Sequence, residues 1–175
     1  MPNFGMSKPA FIPDQIKEIA SKQTTAPVAL VGYRAYKEQM NKRGVFDDAI
    51  FLITPEGVYS FNANCDPSYY KPGIASLDLG VYKYKLGTHG LSKPKWRQYE
   101  ALVQASTVNI TRDGGKKERG FFGINIHKGG LFGSTSSLGC QTIQRDQWDE
   151  FISLVKSNLK KHGMTEIHYI LVEQR

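Results

Sequence analysis

The chain has 175 residues, 40% of them hydrophobic and 22% charged, with nine tyrosines and nine phenylalanines; this suits one globular domain with a real core and excludes a disordered chain. Its 23 lysines and arginines outnumber its 16 acids, for a net charge of +7, so an anionic partner is expected: nucleic acid, anionic lipid, or the carboxylate-rich peptides and polymers of a cell wall. No apolar run approaches the ~18 residues of a membrane span, so no membrane insertion is expected, and two cysteines, Cys65 and Cys140, are too few for a disulfide scaffold or a Cys-rich zinc site.

Residues 1–27 read as an N-terminal arm and residues 28–175 as a single domain. The first stretch, MPNFGMSKPAFIPDQ, has three prolines and no continuous apolar core, unlike a secretory signal. The expectation is therefore synthesis in the cytoplasm, with delivery by another system if the protein acts outside it. Within the arm, Asp14 is a candidate N-cap, and Ile16, Ile19 and Ala20 follow Pro13 at helical spacing. PVALVGYRAYKEQMNKRG predicts a short strand and then a helix over Tyr33–Lys42 that Gly44 ends. AIFLITPEGVYSFNA predicts a hairpin turning at Pro55-Glu56-Gly57.

GVYKYKLGTHG alternates Val81, Lys83 and Lys85 against Tyr82, Tyr84 and Leu86, the period of a strand. ASTVNITRDGG predicts a strand ending at an Asp113-Gly114 turn, and FFGINIH the next, with Ile124 and Ile126 on one face and Asn125 and His127 on the other. RDQWDEFISLVKSNLKKHG predicts the clearest helix. Its apolar face is Trp148, Phe151, Ile152, Val155 and Leu159, and Gly163 stops it. TEIHYILVE predicts a final strand. With no internal repeat, the class is α+β, mainly β.

One stretch concentrates chemistry: GINIHKGGLFGSTSSLGCQTI, residues 123–143, joins one of four histidines to one of two cysteines. A cysteine nucleophile needs a base or a positive environment to deprotonate it, and N–H donors for the developing oxyanion. His127 ends a strand, and Cys140 follows thirteen residues later across Gly129, Gly130, Gly133 and Gly139, a loop able to bring its ends together. Cys140 is expected just before a helix whose N-terminus favours thiolate. Leu138, Gly139 and Cys140 are the candidate oxyanion N–H donors. The plainer reading stands beside this one: a partly exposed strand-end histidine, and a cysteine that behaves as a small buried hydrophobe.

The order strand–His, glycine-rich loop, Ser137-Leu138-Gly139-Cys140 resembles the signature of the L,D-transpeptidase (YkuD-like) catalytic domain family, in which an upstream His is followed by Ser/Thr-His-Gly-Cys. The specific match covers residues 121–143, with looser likeness back to about residue 48 through GVYKYKLGTHG and the hairpin IFLITPEGVYSF. The resemblance implies a β-sandwich or barrel with one long helix after the catalytic Cys. It makes Cys140 the nucleophile, His127 its base, Gly139 and Cys140 oxyanion donors and Ser137 a brace for the loop. It also implies murein (peptidoglycan) stem peptides as substrate, attacked to give an acyl-enzyme that an amine or water resolves, with no cofactor. The chain departs from the family pattern at three places: Leu138 stands where the family has His, Lys128 follows the base where Gly is common, and Arg145 lies five positions beyond the Cys rather than next to it.

Other residues are weighed in the same way. His89, at a strand-to-turn corner, is either a solvent-facing turn residue or a substrate contact and second base. Tyr82 and Tyr84 either line a groove or pack. His162 and His168 fit a helix end and a strand, and no HExxH or CxxC spacing points to metal. Cys65 reads as a loop thiol not paired with Cys140. RDGGKKERG (112–120) is a solvated hairpin tip or a rim attracting acidic wall polymer, and no RNP-like or helix-turn-helix pattern accompanies the charge, which makes nucleic acid the weaker partner.

The expected function is a peptidoglycan-acting cysteine acyl-transfer enzyme, a carboxypeptidase, endopeptidase or transpeptidase, in the setting of a phage lysis enzyme (endolysin) or a delivered bacteriolytic effector. The alternative from another class is a non-catalytic cell-wall-binding or virion structural module that retains the fold. A sortase-like transferase shares the His-before-Cys order but needs an Arg on a later strand, where only Arg175 is available.

Overall fold

Strands that alternate apolar and polar residues must bury one face, and here those faces close around a common interior. The computed structural model describes residues 7–174. Its elements are α1 (Pro13–Ser21), β1 (Ala29–Arg34), β2 (Asp48–Thr54), β3 (Gly57–Asn64), β4 (Ala75–Leu77), β5 (Gly80–His89), β6 (Tyr99–Gln104), β7 (Val108–Arg112), β8 (Lys117–Gly120), β9 (Ile126–Lys128), β10 (Gln141–Ile143), α2 (Trp148–Lys161) and β11 (Ile167–Glu173). Eight strands form a closed barrel in the order β1-β11-β5-β6-β9-β10-β3-β2, and β4, β7 and β8 form a separate three-stranded sheet. The chain is mainly β, as its alternation predicts. Residues 1–6 of the expected arm, and Arg175, lie outside the described residues.

The main core gathers Leu30, Leu52, Phe61, Tyr84, Leu102, Ile126 and Tyr169 from the barrel with Trp148, Phe151, Val155 and Leu159 of α2. The predicted α2 face is therefore the buried one, except that Ile152 is only partly buried. A second cluster packs Ile16 and Ala20 of α1 against Val31, Phe51 and Ile170 on the other side of β1, β2 and β11. Tyr169 reaches the interior because Gly32 faces it: a Cβ on Gly32 would lie 2.0 Å from the Tyr169 hydroxyl.

The hairpin forms as expected, with Thr54 paired to Gly57 and the Thr54 hydroxyl donating to Gly57 O at 3.0 Å. Several expectations are corrected. No helix spans Tyr33–Lys42: Tyr33 and Arg34 finish β1, and the backbone then turns through a left-handed Ala35 (φ 57). Carboxylates take the N–H groups that a helix would have used, Ala35 N–H donating to Asp48 Oδ1 at 2.7 Å and Lys42 N–H to Asp47 Oδ2 at 2.8 Å. Asp14 is not a cap; Ile12 holds that position, Pro13 follows and Asp14 sits in the first turn. The strand expected over residues 121–127 shrinks to Ile126–Lys128, because the Gln104 side chain accepts the N–H groups of Phe122 (3.1 Å) and Ile124 (2.8 Å) in place of a partner strand. Strands β4 and β10, and β6 after the loop of residues 90–98, carry no clear periodicity and were not anticipated.

Candidate active site

Strands β9 and β10 run parallel, with Gln141 beside Ile126 and Thr142 beside His127. One step back along this register sets Cys140 beside Asn125, and the Asn125 N–H donates to Cys140 Sγ at 3.3 Å. The thiol itself donates to Gly123 O at 3.2 Å. The glycine-rich loop thus brings the two ends of the stretch onto neighbouring strands, but the sulfur's hydrogen bonds go to backbone groups of residues 123 and 125 rather than to the His127 ring. The expected helix N-terminus is not beside Cys140: β10 intervenes, and α2 begins only at Trp148. Burial pushes the thiol up to about 11, opposed by the Asn125 N–H and by the Lys93 ammonium. At neutral pH the resting group is a thiol.

His127 is 5% exposed and its Nδ1 lies 2.9 Å from Lys128 O, so Nδ1 carries the proton and Nε2 keeps its lone pair. The departure from glycine at Lys128 therefore leaves the orienting carbonyl in place. Tyr99 frames the ring from β6, its hydroxyl 3.4 Å from His127 Nδ1 and accepting the Lys128 N–H at 3.2 Å. The Lys128 ammonium lies over the Tyr99 ring, 4.6 Å from its centroid. His89 stacks on His127 with ring centroids 4.0 Å apart and an interplanar angle of 20°. The Asn125 amide lies 3.1 Å from His89 Nδ1, which makes that nitrogen an acceptor. Burial, then the neighbouring His89, push His127 down to about 3, and burial together with Lys93 lowers His89. Both imidazoles are neutral, a state that can accept a proton.

Ser137 pins the loop that carries the thiol. Its hydroxyl donates to Cys140 O at 2.6 Å and accepts the Gly139 N–H at 3.0 Å, and its backbone exchanges two 2.8 Å hydrogen bonds with Ser68. This corrects one expectation: the Gly139 N–H is occupied and does not face an oxyanion. Among the described residues the N–H groups of Leu138 and Cys140 have no protein acceptor, so those two of the three candidates remain open. Gly139 adopts φ 144, and a Cβ there would meet Ala75 O at 2.7 Å, so only glycine fits between the loop and β4.

Behind the loop lies a polar network that sequence reasoning did not find. Gln141 joins Gly139 O to Cys65 O, and its Oε1 accepts the Tyr169 hydroxyl at 2.8 Å. Arg34 donates to Cys65 O (2.7 Å) and Leu77 O (2.9 Å) and pairs with buried Asp66. Cys65 lies in the loop directly after β3, as expected, but is fully buried there; both cysteines are free, and burial raises the Cys65 thiol well above its ordinary value.

The other candidate residues have defined surroundings. Tyr82 and Tyr84 do not line a groove: both are buried, with hydroxyls donating to Asp78 O and Ile124 O. Arg145 is exposed and donates to Gly129 O at 3.3 Å, at the base of the loop. His168 lies in β11, as expected, with its Nδ1 2.8 Å from the Thr24 hydroxyl. The structure adds Tyr99, Asn125, Lys93 and Ser68 to the site. Only Asn125 carried a signal, standing two residues before His127 on the same predicted face.

Among the described residues, no group of three or more His, Cys, Asp or Glu side chains could hold a metal ion, and no helix is long and apolar enough to cross a membrane. The site thus places a protonated thiol, a neutral imidazole with its Nε2 lone pair and two backbone N–H groups without protein acceptors on neighbouring strands and their loop. Compared with known proteins, the chain matches no family model, no curated protein and no solved structure.

Proposed function

We propose that the chain is a cysteine acyl-transfer enzyme of the L,D-transpeptidase type that acts at the cell wall on murein stem peptides. The observation that carries this reading is a partly exposed Cys140 thiol on a braced loop, two register steps, and so on the same face, from a His127 whose Nδ1 is tied to Lys128 O. The resemblance of Ser137-Leu138-Gly139-Cys140 after His127 supplies the substrate class.

The reaction starts from neutral partners. The thiol leaves Gly123 O and turns to His127 Nε2, which takes its proton as Sγ bonds to the peptide carbonyl carbon. The resulting oxyanion is received by the N–H groups of Leu138 and Cys140. Collapse breaks the carbon–nitrogen bond, and the imidazolium returns its proton to the departing amine. Water or a second amine then attacks the thioester, giving its proton to His127, and Cys140 leaves as the thiol. Hydrolysis gives a carboxypeptidase or endopeptidase; amine attack gives a cross-link.

The test is incubation of purified sacculi with wild type and with Cys140→Ala, followed by resolution of the muropeptides. Wild type changes the peptide profile and the variant leaves it untouched. A second reading, a wall-binding module that retains the fold, is favoured by the protonated resting thiol and the occupied Gly139 N–H. Sacculus pull-down that is equal in both chains, with no altered muropeptide, selects it.

A further inference from the structure

A groove of about 430 Å³ opens beside the Cys140 loop, within the range of about 300–1,000 Å³ usual for ligand sites. Leu138 and Ile124 line one part of it, Ile74 and Phe122 its apolar walls, and Lys71 and Arg112 its polar part. It borders the loop that carries the nucleophile. Leu138 stands two residues before Cys140, and the groove residues Ala75 and Ile124 are the two that would collide with a Cβ on Gly139. The residue after Ile124 donates its N–H to the sulfur.

The charges around the groove are unequally matched. Glu118 is engaged by Arg112 and by Lys116 at 3.4 Å, and Asp113 is taken by Arg43 at 2.7 Å in a bidentate pair. Arg112 also donates from one terminal nitrogen to Gly73 O at 2.8 Å. The Lys71 ammonium has no partner among the described residues, although its backbone N–H donates to Asp113 Oδ2 at 3.1 Å. Nearby acids are thus spent on other cations, and an unpaired ammonium lines the same groove as Leu138 of the Cys140 loop.

We propose that this groove is the subsite for a carboxylate-bearing segment of the peptide substrate, with the Lys71 ammonium receiving the carboxylate and Phe122 and Ile74 packing its aliphatic part. The inference rests on the proposed peptide-acyl chemistry of Cys140. A charge-assisted contact of this kind is worth more than a neutral hydrogen bond, and it weakens with salt because Lys71 is exposed.

The test uses Cys140→Ala to trap binding without turnover, titrated with a murein stem tetrapeptide and with the same peptide whose carboxylates are amidated, followed by backbone and side-chain NMR. The free-carboxylate peptide shifts Lys71, Ile74 and Phe122 resonances, and amidation weakens binding about threefold. Lys71→Glu, at an exposed position where the fold tolerates it, weakens the carboxylate peptide to the same degree and leaves the amidated one unchanged. Equal affinity for both peptides, or shifts confined to another face, overturns the proposal. The outcome is separable from the proposed reaction: sacculi processed equally well by wild type and Lys71→Glu reject the groove alone. Binding in the groove together with inert wild type upholds the groove and rejects the chemistry.

Discussion

Two walls of the same barrel are built differently. Between β2 and β3 the ladder runs through seven residue pairs, from Asp48–Ala63 to Thr54–Gly57. On the site wall, β9 and β10 share three pairs and β6 meets β9 at one. Backbone groups that the short strands leave without a ladder are satisfied by side chains instead: Gln104 for residues 122 and 124, Tyr99 for Lys128, Ser137 for Gly139 and the Cys140 sulfur for Asn125. The long wall is closed by repetition, and the thin wall by individual polar residues. The proposed catalytic side chains stand in the thin wall, whose geometry is set by specific hydrogen bonds.

If the division is real, substitutions on the two walls separate activity from stability. The largest effect on activity short of removing the thiol is expected for His127→Gln. Loss of the base lowers kcat/KM on a stem peptide by about 10²–10⁴-fold, while the thermal unfolding midpoint moves little. A variant of equal activity breaks the assignment of the base.

His89→Gln is the next step down, because His89 acts through His127. Removing the stacked ring lowers the rate about tenfold by loosening the base. It also removes a neighbour that becomes cationic in acid, so the acid limb of the pH–rate profile moves to higher pH as His127 rises towards its ordinary value. A purely structural role would change the rate without moving the limb.

Asp48→Asn belongs to the long wall and changes stability instead. Burial, then Asp66 and Asp47, push Asp48 up to about 8, so the folded chain holds a proton that the unfolded chain releases near its ordinary value of about 4. That stabilisation is complete below about 4 and is lost as pH rises to about 8. His127 acts in the opposite sense: its stabilisation is complete above about 6.5 and is lost as pH falls towards about 3. The two oppose each other between about 4 and 6.5, leaving Asp48 unopposed by His127 between about 6.5 and 8, where its titration costs wild type on the order of 2 kcal/mol. Denaturant unfolding of Asp48→Asn shows that upper slope flattened, at a cost of about 1 kcal/mol for the backbone N–H it serves less well. A slope that persists places the titrating group elsewhere.

The long wall was legible in the sequence because period-two alternation and the Pro55-Glu56-Gly57 turn are local signals. The helix α2 was legible from its apolar stripe. The order His127, glycine loop, Cys140 was legible too, as was Ser137 as a brace. The thin wall was not, since three-residue strands carry no periodicity and the partners that hold them, Gln104, Tyr99 and Ser68, are far away in sequence. The same reason hid Asp48 and Arg34: a buried carboxylate and a buried guanidinium read as surface residues until their backbone partners are known. Tyr82 and Tyr84 misled in the other direction, because alternation places them on one face without saying which side of the barrel that face occupies.

The central claim is that Cys140 carries the acyl group. Wild type and Cys140→Ala are mixed with a murein stem peptide, quenched in acid at short times and weighed as intact proteins, with peptide mapping of any adduct. The account predicts a thioester-linked mass on Cys140 in wild type only, forming before product accumulates. Release of product without any adduct on Cys140, or an adduct that survives in Cys140→Ala, contradicts it.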